Sequence, residues 1–447
     1  MKCTSGLMPA LAAASVLAST PEPKYRISPI DGSTIALPTQ EQLQFQDKEI
    51  GVLIHFEMGT YLDIDGCNNV PSLVPNLTLF DPELLNTDQW MDSATALGAQ
   101  YATLVAKHNC GFTTWPSQVK FQTRDNTTIA YNYTIAQSPV AGDEVVKSFV
   151  ESAEKYDVGH GFYYSTVVNN FLNVQNSEVN ATSWAVGQVR ISNETYDEVV
   201  DAQLTELWTN YGSLTEIWFD GGYSATQQTT LENMLTELQP QAVVFNACDV
   251  TTGECLSQNP VRWVGTETGE APIENWSTGI TNDGGDPTSP SFCPSVCDTT
   301  LQTQDRWFYG VDQPLRPLTE LISVYHTSVG RNCMLELDLS PDRSGLIPAS
   351  YAARYKQLGD FIKSCYDGWA GDTLVSGLGE VVDDGVTDGT LDVPWTMLSN
   401  GTSVGHKKID VFEQAVTVTE VLVNSTFVDT PKWRDVSLHL CDQLVAS

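Results

Sequence analysis

The chain has 447 residues, more than one ordinary domain and enough for a barrel of about 250 residues or more with a smaller partner. It carries 22 Lys and Arg against 56 Asp and Glu, a net charge of −34, which repels phosphate backbones and anionic membrane surfaces and argues against both as partners. No blocks of like charge stand out, so the acidity reads as a spread, solvated surface.

The first residues read as an address. Lys2 precedes an apolar stretch from Leu7 to Leu17, and the small residues around Ala18 suit a signal peptidase, so residues 1–18 are expected to be a signal peptide. The stretch is too short to span a bilayer. Eight Asn-x-Ser/Thr sequons (Asn76, Asn126, Asn132, Asn180, Asn193, Asn275, Asn400 and Asn424) agree with a secreted, glycosylated protein. Of the ten cysteines, Cys3 falls in the signal, and the close pairs Cys248 with Cys255 and Cys293 with Cys297 read as loop-stapling disulfides. Cys293 to Cys297 lacks the second ligand pair that a zinc site needs, and Cys441 is the candidate for the unpaired thiol.

A polar lead-in ends at the apolar run Ile50 to Phe56, a first buried strand. A helix follows from Asn86 or Thr87, as cap, to Leu97, with Gly98 placed to end it; then comes a second strand, Tyr101 to His108. The unit repeats: helix Glu144 to Tyr156 and strand Gly161 to Ser165, then helix Tyr196 to Tyr211 and strand Ile217 to Phe219. Helix Leu231 to Leu238 and strands Ala242 to Phe245 and Val261 to Gly265 come next, and helix Leu318 to Val329 precedes the last strand, Cys333 to Leu339. Seven or eight such units predict a (β/α)8-like barrel of the TIM type over residues 19–367. The interval from Gly265 to Leu318 is rich in Pro, Gly, Ser and Cys, and Trp307 to Tyr309 is taken as its strand. Alternating runs such as Ala415 to Val418 predict a short antiparallel β-sandwich domain over 368–447, with fewer strands than a full sandwich expected in its length.

Barrel strands converge at their carboxyl ends, which here collect His55, Glu57, Lys107, His108, Asn109, Tyr163, Trp218, Asp220, Arg262, Glu267 and Glu270. Asp220 closes an apolar run before two glycines, and Trp218, two residues earlier, shares its face. An aromatic wall beside a carboxylate suits a sugar ring. Two carboxylates on different strands, with histidines, aromatics and an Arg between them, describe a glycosidase pocket. Helix caps and rim ion pairs are the alternative use of each residue.

Five fragments, in order, resemble the α-L-fucosidases of glycoside hydrolase family 29. The family's Ile-His-Trp-Gly resembles Ile54-His55-Phe56-Glu57, and its Ala-Lys-His-His-Asp-Gly-Phe with a following Trp-Pro resembles Ala106 to Phe112 with Trp115-Pro116. Its Trp-Phe-Asp-Gly matches Trp218 to Gly221, its Arg-Trp-Val-Gly-Asn-Glu resembles Arg262 to Glu267, and its Pro-Asp-x-x-Gly resembles Pro341 to Gly345. The resemblance covers about residues 45 to 350 and implies a retaining enzyme without cofactor or metal, acting on a fucosylated glycan; the form of the Arg262 to Glu267 run resembles the branch that prefers α-1,3/1,4-linked fucose. It implies Asp220 as nucleophile and Glu267 as acid/base, with Glu270 the second choice and Glu274 in the same segment. It also implies that His55, His108, Asn109, Tyr163, Trp218 and Arg262 contact the sugar. Asn109 replaces the second His of the family's pair, and Phe56-Glu57 replaces Trp-Gly. Two other readings remain: a metal-dependent barrel hydrolase using His55, Glu57, His108 and Asp220, and a glycan-binding protein that has lost catalysis.

Overall fold

The computed structural model describes residues 24–140 and 145–366. The expected signal peptide, the C-terminal β domain, Cys441 and the sequons at Asn400 and Asn424 lie outside the described residues. Eight strands form the barrel: β1 (Ile50–Ile54), β2 (Tyr101–Lys107), β3 (Gly159–Ser165), β4 (Glu216–Asp220), β5 (Val243–Phe245), β6 (Pro260–Trp263), β7 (Ser295–Thr299) and β8 (Cys333–Asp338). Every neighbouring pair is parallel, the spatial order follows the chain, and β8 pairs with β1 to close the ring. The helices are α1 (Gln40–Gln46), α2 (Met58–Leu62), α3 (Thr87–Leu97), α4 (Val145–Lys155), α5 (Asn193–Asn210), α6 (Gln228–Leu238), α7 (Leu318–Ser328) and α8 (Ala349–Tyr366). No helix among the described residues is long and apolar enough to cross a membrane.

Strand periodicity sorts the side chains into two cores. Leu53, Tyr101, Val105, Tyr163, Trp218, Phe245, Val261, Val296 and Met334 pack inside the ring, while their neighbours in sequence, such as Ile217 and Phe219, face the surrounding helices. Helix α3 shows how the outer layer is specified. Asn86 Oδ1 accepts from Gln89 N, Gly98 ends the helix at φ 98°, and Trp90, Met91, Ala94 and Leu97 make the buried stripe. Trp90 also donates Nε1–H to Gly345 O across 2.9 Å, so its truncation to Ala should cost about 3–5 kcal/mol. At the amino end of the barrel, α1 acts as a plug. Gln42 donates to the carbonyls of Pro260 and Phe292, and Phe45 packs its ring 5.0 Å from that of Tyr101.

The structure corrects two expectations. The strand between Gly265 and Leu318 is β7, not Trp307 to Tyr309. Its sequence, Ser-Val-Cys-Asp-Thr, hides it, because the polar side chains are buried in the barrel and the cysteine is cross-linked. Cys293 and Cys297 are also not partners. Positions i and i+4 in an extended chain lie roughly 13 Å apart, beyond disulfide reach. Cys297 instead bridges to Cys333 on β8, Cys67 bridges to Cys110, Cys248 to Cys255 as expected, and Cys293 is a buried free thiol. No helix lies between β5 and β6 or between β6 and β7.

Candidate active site

The carboxyl ends of the strands form a cup. On β4 the alternation turns Glu216, Trp218 and Asp220 inward, with Asp220 last, and Gly221 at φ 71° then turns the chain away. A Cβ at Gly221 would lie 2.9 Å from Val167, so glycine is needed for space as well as for conformation. Trp218 lies flat on Phe245, ring centroids 3.5 Å apart and 10° between planes, and makes the floor under the carboxylate.

Asp220 is held from the neighbouring strand: Tyr163 of β3 donates its hydroxyl to Oδ2 across 2.5 Å. Burial raises the Asp220 pKa, while the Tyr163 hydrogen bond and the charge of Lys107 pull it down. Lys107, at the end of β2, is fully buried and donates to the carbonyls of Ser165 and Val168. Desolvation lowers its pKa to about 7, against the charges of Glu57 and Asp220. Asn109 accepts from Ser165 Oγ at 3.0 Å and so braces the same loop.

On the opposite wall, Nδ1 of His55 meets Oδ1 of Asp338 at 2.8 Å, joining β1 to β8. His108 stacks on Tyr163 with centroids 5.5 Å apart and planes 27° apart. Burial lowers the pKa of both imidazoles, that of His108 to about 3, so they face the cup as neutral rings. Glu267 lies on the loop after β6. Thr268 bridges to Thr299 at the end of β7, and Trp307 donates Nε1–H to Glu267 Oε2 at 3.2 Å. Partial burial raises the Glu267 pKa, and the Trp307 bond opposes the shift. The charge of Asp220 adds to the rise in the Glu267 pKa. Asp298, on β7, accepts from Trp263 Nε1 at 2.7 Å, and burial lifts its pKa to about 7.

The structure thus brings together His55, His108, Asn109, Tyr163, Trp218, Asp220 and Glu267. Arg262 does not join them and is a correction. Val261 and Trp263 take the inward face of β6, so Arg262 points outward, where it donates to Asn275 Oδ1 and Trp276 O. Glu270 is exposed beyond Gly269, which packs against Thr299 and Val324, and Glu274 is exposed as well. Sequence reasoning missed Asp298, Asp338, Trp263 and Trp307 as members of the cup. Asp338 carried the signal that revealed Asp220, a carboxylate closing an apolar run. Among the described residues no three His, Cys, Asp or Glu side chains converge as metal ligands.

A family model described as alpha-L-fucosidase matches residues 76–365. The chain belongs to the alpha-L-fucosidase family. It is 28% identical over 331 residues to alpha-L-fucosidase 1 of Arabidopsis thaliana, covering 70% of this chain and 58% of that one. It is 29% identical over 333 residues to a putative alpha-L-fucosidase 1 of Oryza sativa subsp. japonica, covering 70% and 56%. The chain therefore spans a little over half the length of these curated relatives. Among solved structures of this fucosidase family, a putative alpha-L-fucosidase from Bacteroides thetaiotaomicron superposes with a TM-score of 0.64 at 26% identity, covering 84% of this chain and 93% of that one.

Proposed function

We propose that the chain is a secreted retaining exo-glycosidase that removes terminal α-L-fucosyl residues from glycans or glycoconjugates through a covalent fucosyl-enzyme intermediate. One observation carries the reading: Asp220, half-buried at the end of β4 and gripped by Tyr163, lies near enough for its charge to raise the pKa of Glu267 on the β6 loop. In this reading Asp220 attacks the anomeric carbon with Oδ1, since Oδ2 is engaged. Partial desolvation and the charge of Asp220 raise the Glu267 pKa, which favours the protonated form, and Glu267 gives its proton to the departing glycosidic oxygen. It then takes a proton from the water that releases fucose. His55, His108, Asn109, Tyr163 and Trp218 surround the sugar. The Arg262 to Glu267 run supports a preference for α-1,3/1,4 linkages, and the leader and sequons support secretion.

A panel of fucosylated oligosaccharides of defined linkage tests this, with the first-formed fucose anomer followed by proton NMR. Release of α-L-fucose as the first anomer, fastest from α-1,3/1,4-linked substrates, is expected. Release of the β anomer overturns retention, and no release from any member overturns the activity.

A further inference from the structure

Glu57 stands where the fucosidase resemblance has glycine, and it is completely buried. Its Oε2 accepts from Met58 N at 2.6 Å and caps α2. Its Oε1 has no partner and lies 3.9 Å from Nδ1 of His108, which is itself buried and unpaired. Two orphan polar atoms facing each other in a dry site ask for a role, because each costs free energy unless a proton joins them. Capping α2 accounts for only one of the carboxyl oxygens. Helix caps are exchanged easily for Ser or Asn at the surface, whereas a buried carboxyl needs a second reason.

The His108 ring is clamped where Glu57 can reach it. Gly66 approaches so closely that a Cβ there would lie 2.6 Å from the ring, and Cys67, bridged to Cys110, pins that segment beside the end of β2. Phe308 meets another side of the ring edge-on at 5.1 Å. With Nδ1 enclosed against Glu57, Nε2 is the nitrogen left to reach the cup. The ring in turn stacks on Tyr163, the donor to Asp220, so contacts run unbroken from Glu57 to the nucleophile.

We propose that Glu57 is a positioning residue for sugar recognition: one proton held between its Oε1 and Nδ1 of His108 fixes the imidazole as the Nε2–H form, which donates to a hydroxyl of the bound fucosyl ring. The proposal rests on the fucosidase reading for the identity of the sugar. A small rotation closes the 3.9 Å gap when a ligand settles, as catalytic hydrogen bonds often tighten only on binding. Burial raises the Glu57 pKa to about 8, so at neutral pH the carboxyl keeps the proton and donates to Nδ1. Once Glu57 ionises, its carboxylate draws a proton onto Nδ1 and Nε2 becomes an acceptor, which removes the donor from the cup. The groups facing this pair are Lys107, whose charge favours the ionised form, together with His55, Tyr133, Tyr163 and Asp220.

The test combines two measurements on the full chain and on Glu57→Leu and Glu57→Gln. Imidazole nitrogen shifts of histidine-labelled protein report the tautomer of His108, assigned by its loss in His108→Phe. The KM for an aryl α-L-fucoside is followed from pH 5 to 9. The wild type should show Nε2–H for His108 and a KM that rises above about pH 8. Glu57→Leu should lose the tautomer bias and raise KM about 10-fold. Glu57→Gln, whose amide can still donate to Nδ1, should recover most of that loss and abolish the rise near pH 8. A wild-type His108 in the Nδ1–H form, or an unaltered tautomer in Glu57→Leu, overturns the proposal. If the wild type does not turn over the fucoside, the functional reading fails while the nitrogen shifts still decide the claim about His108. Should Glu57→Leu not fold, the tautomer and pH profile of Glu57→Gln decide it.

Discussion

The hydroxyl of Tyr163 donates to Oδ2 of Asp220 across 2.5 Å, tying the last inward position of β4 to the middle of β3. That bond does two things at once. It opposes the rise in Asp220 pKa caused by burial, and it engages Oδ2, which leaves Oδ1 for the attack proposed above. Tyr163→Phe should therefore lower kcat/KM roughly 10- to 100-fold, the worth of a hydrogen bond to a charged group. It should also move the acid limb of the pH–rate profile to higher pH, because Asp220 then protonates more readily. An unmoved acid limb would separate Tyr163 from the nucleophile.

Removing the carboxylate itself should be far more costly. Asp220→Ala is expected to lose turnover by a factor on the order of 10⁴ or more while keeping the melting temperature near that of the wild type, since the residue sits at the rim of the ring. Normal turnover in that variant would sink the assignment.

Glu267 and Glu270 are separated by what they touch. Glu267 receives Trp307 Nε1–H and feels the charge of Asp220, whereas Glu270 lies outside the cup behind Gly269. Glu267→Ala should keep appreciable cleavage of an activated aryl fucoside and regain turnover with azide, yielding a fucosyl azide. Glu270→Ala should behave as wild type. Azide rescue of the Glu270 variant alone would reverse the assignment.

The barrel interior carries several acids whose folded pKa values are raised by burial: Glu57 to about 8, Asp298 to about 7, and the facing pair Glu216 and Glu336 in the same direction. A carboxyl with a raised folded pKa contributes stability that is complete below its ordinary value near 4 and is lost as pH climbs through the folded value. His55 and His108, lowered by burial, act in the opposite sense as pH falls below about 6.5. The melting temperature should accordingly peak in mildly acidic buffer and fall between pH 5 and 8. Glu216→Gln keeps an acceptor for Thr103 and should flatten that fall by about 2–4 °C for each kcal/mol of linkage removed. An identical pH slope in the variant would show that the pair does not titrate there.

Among the sequons, Asn275 is tied up. Its Nδ2 donates to Ser295 Oγ, Arg331 O and Asn332 O at 2.8, 3.0 and 2.9 Å, and its Oδ1 accepts from Arg262. A glycosylated amide retains one N–H and cannot make these bonds. Glycopeptide mapping of protein from a glycosylating host should find sugar on the exposed Asn76, Asn126, Asn132 and Asn193 and none on Asn275. Asn275→Gln should be destabilised by about 1–3 kcal/mol. Sugar on Asn275 of the folded protein would contradict this network.

Much of the barrel was legible because seven of its strands, buried on both faces, read as apolar runs with polar ends, and because α3 announces both of its caps. β7 was not legible. A strand that turns Val296 and Asp298 inward and a cross-linked cysteine outward has no apolar period to read. The place of Asp220 was legible for the reason Arg262 was misread: position at a strand end is visible in sequence, but the face a side chain takes depends on register. Asp220 shares the inward face with Trp218, and Arg262 falls one residue out of phase with Trp263. Trp307 was recognised as apolar and placed on a strand, whereas it serves on a loop, where its indole N–H meets Glu267.

His55 and Asp338 stand 283 positions apart and meet only across the seam where the last strand joins the first. A nascent or refolding chain that has assembled β1 to β7 already owns Asp220, Tyr163, His108 and Glu267, yet the wall of the cup that holds His55 is still missing. The ability to retain a sugar should therefore appear late and all at once, as the ring closes, rather than growing with the burial of the helices. A chain released before β8 would carry Asp220 on β4 but lack the Asp338 carboxylate that holds His55.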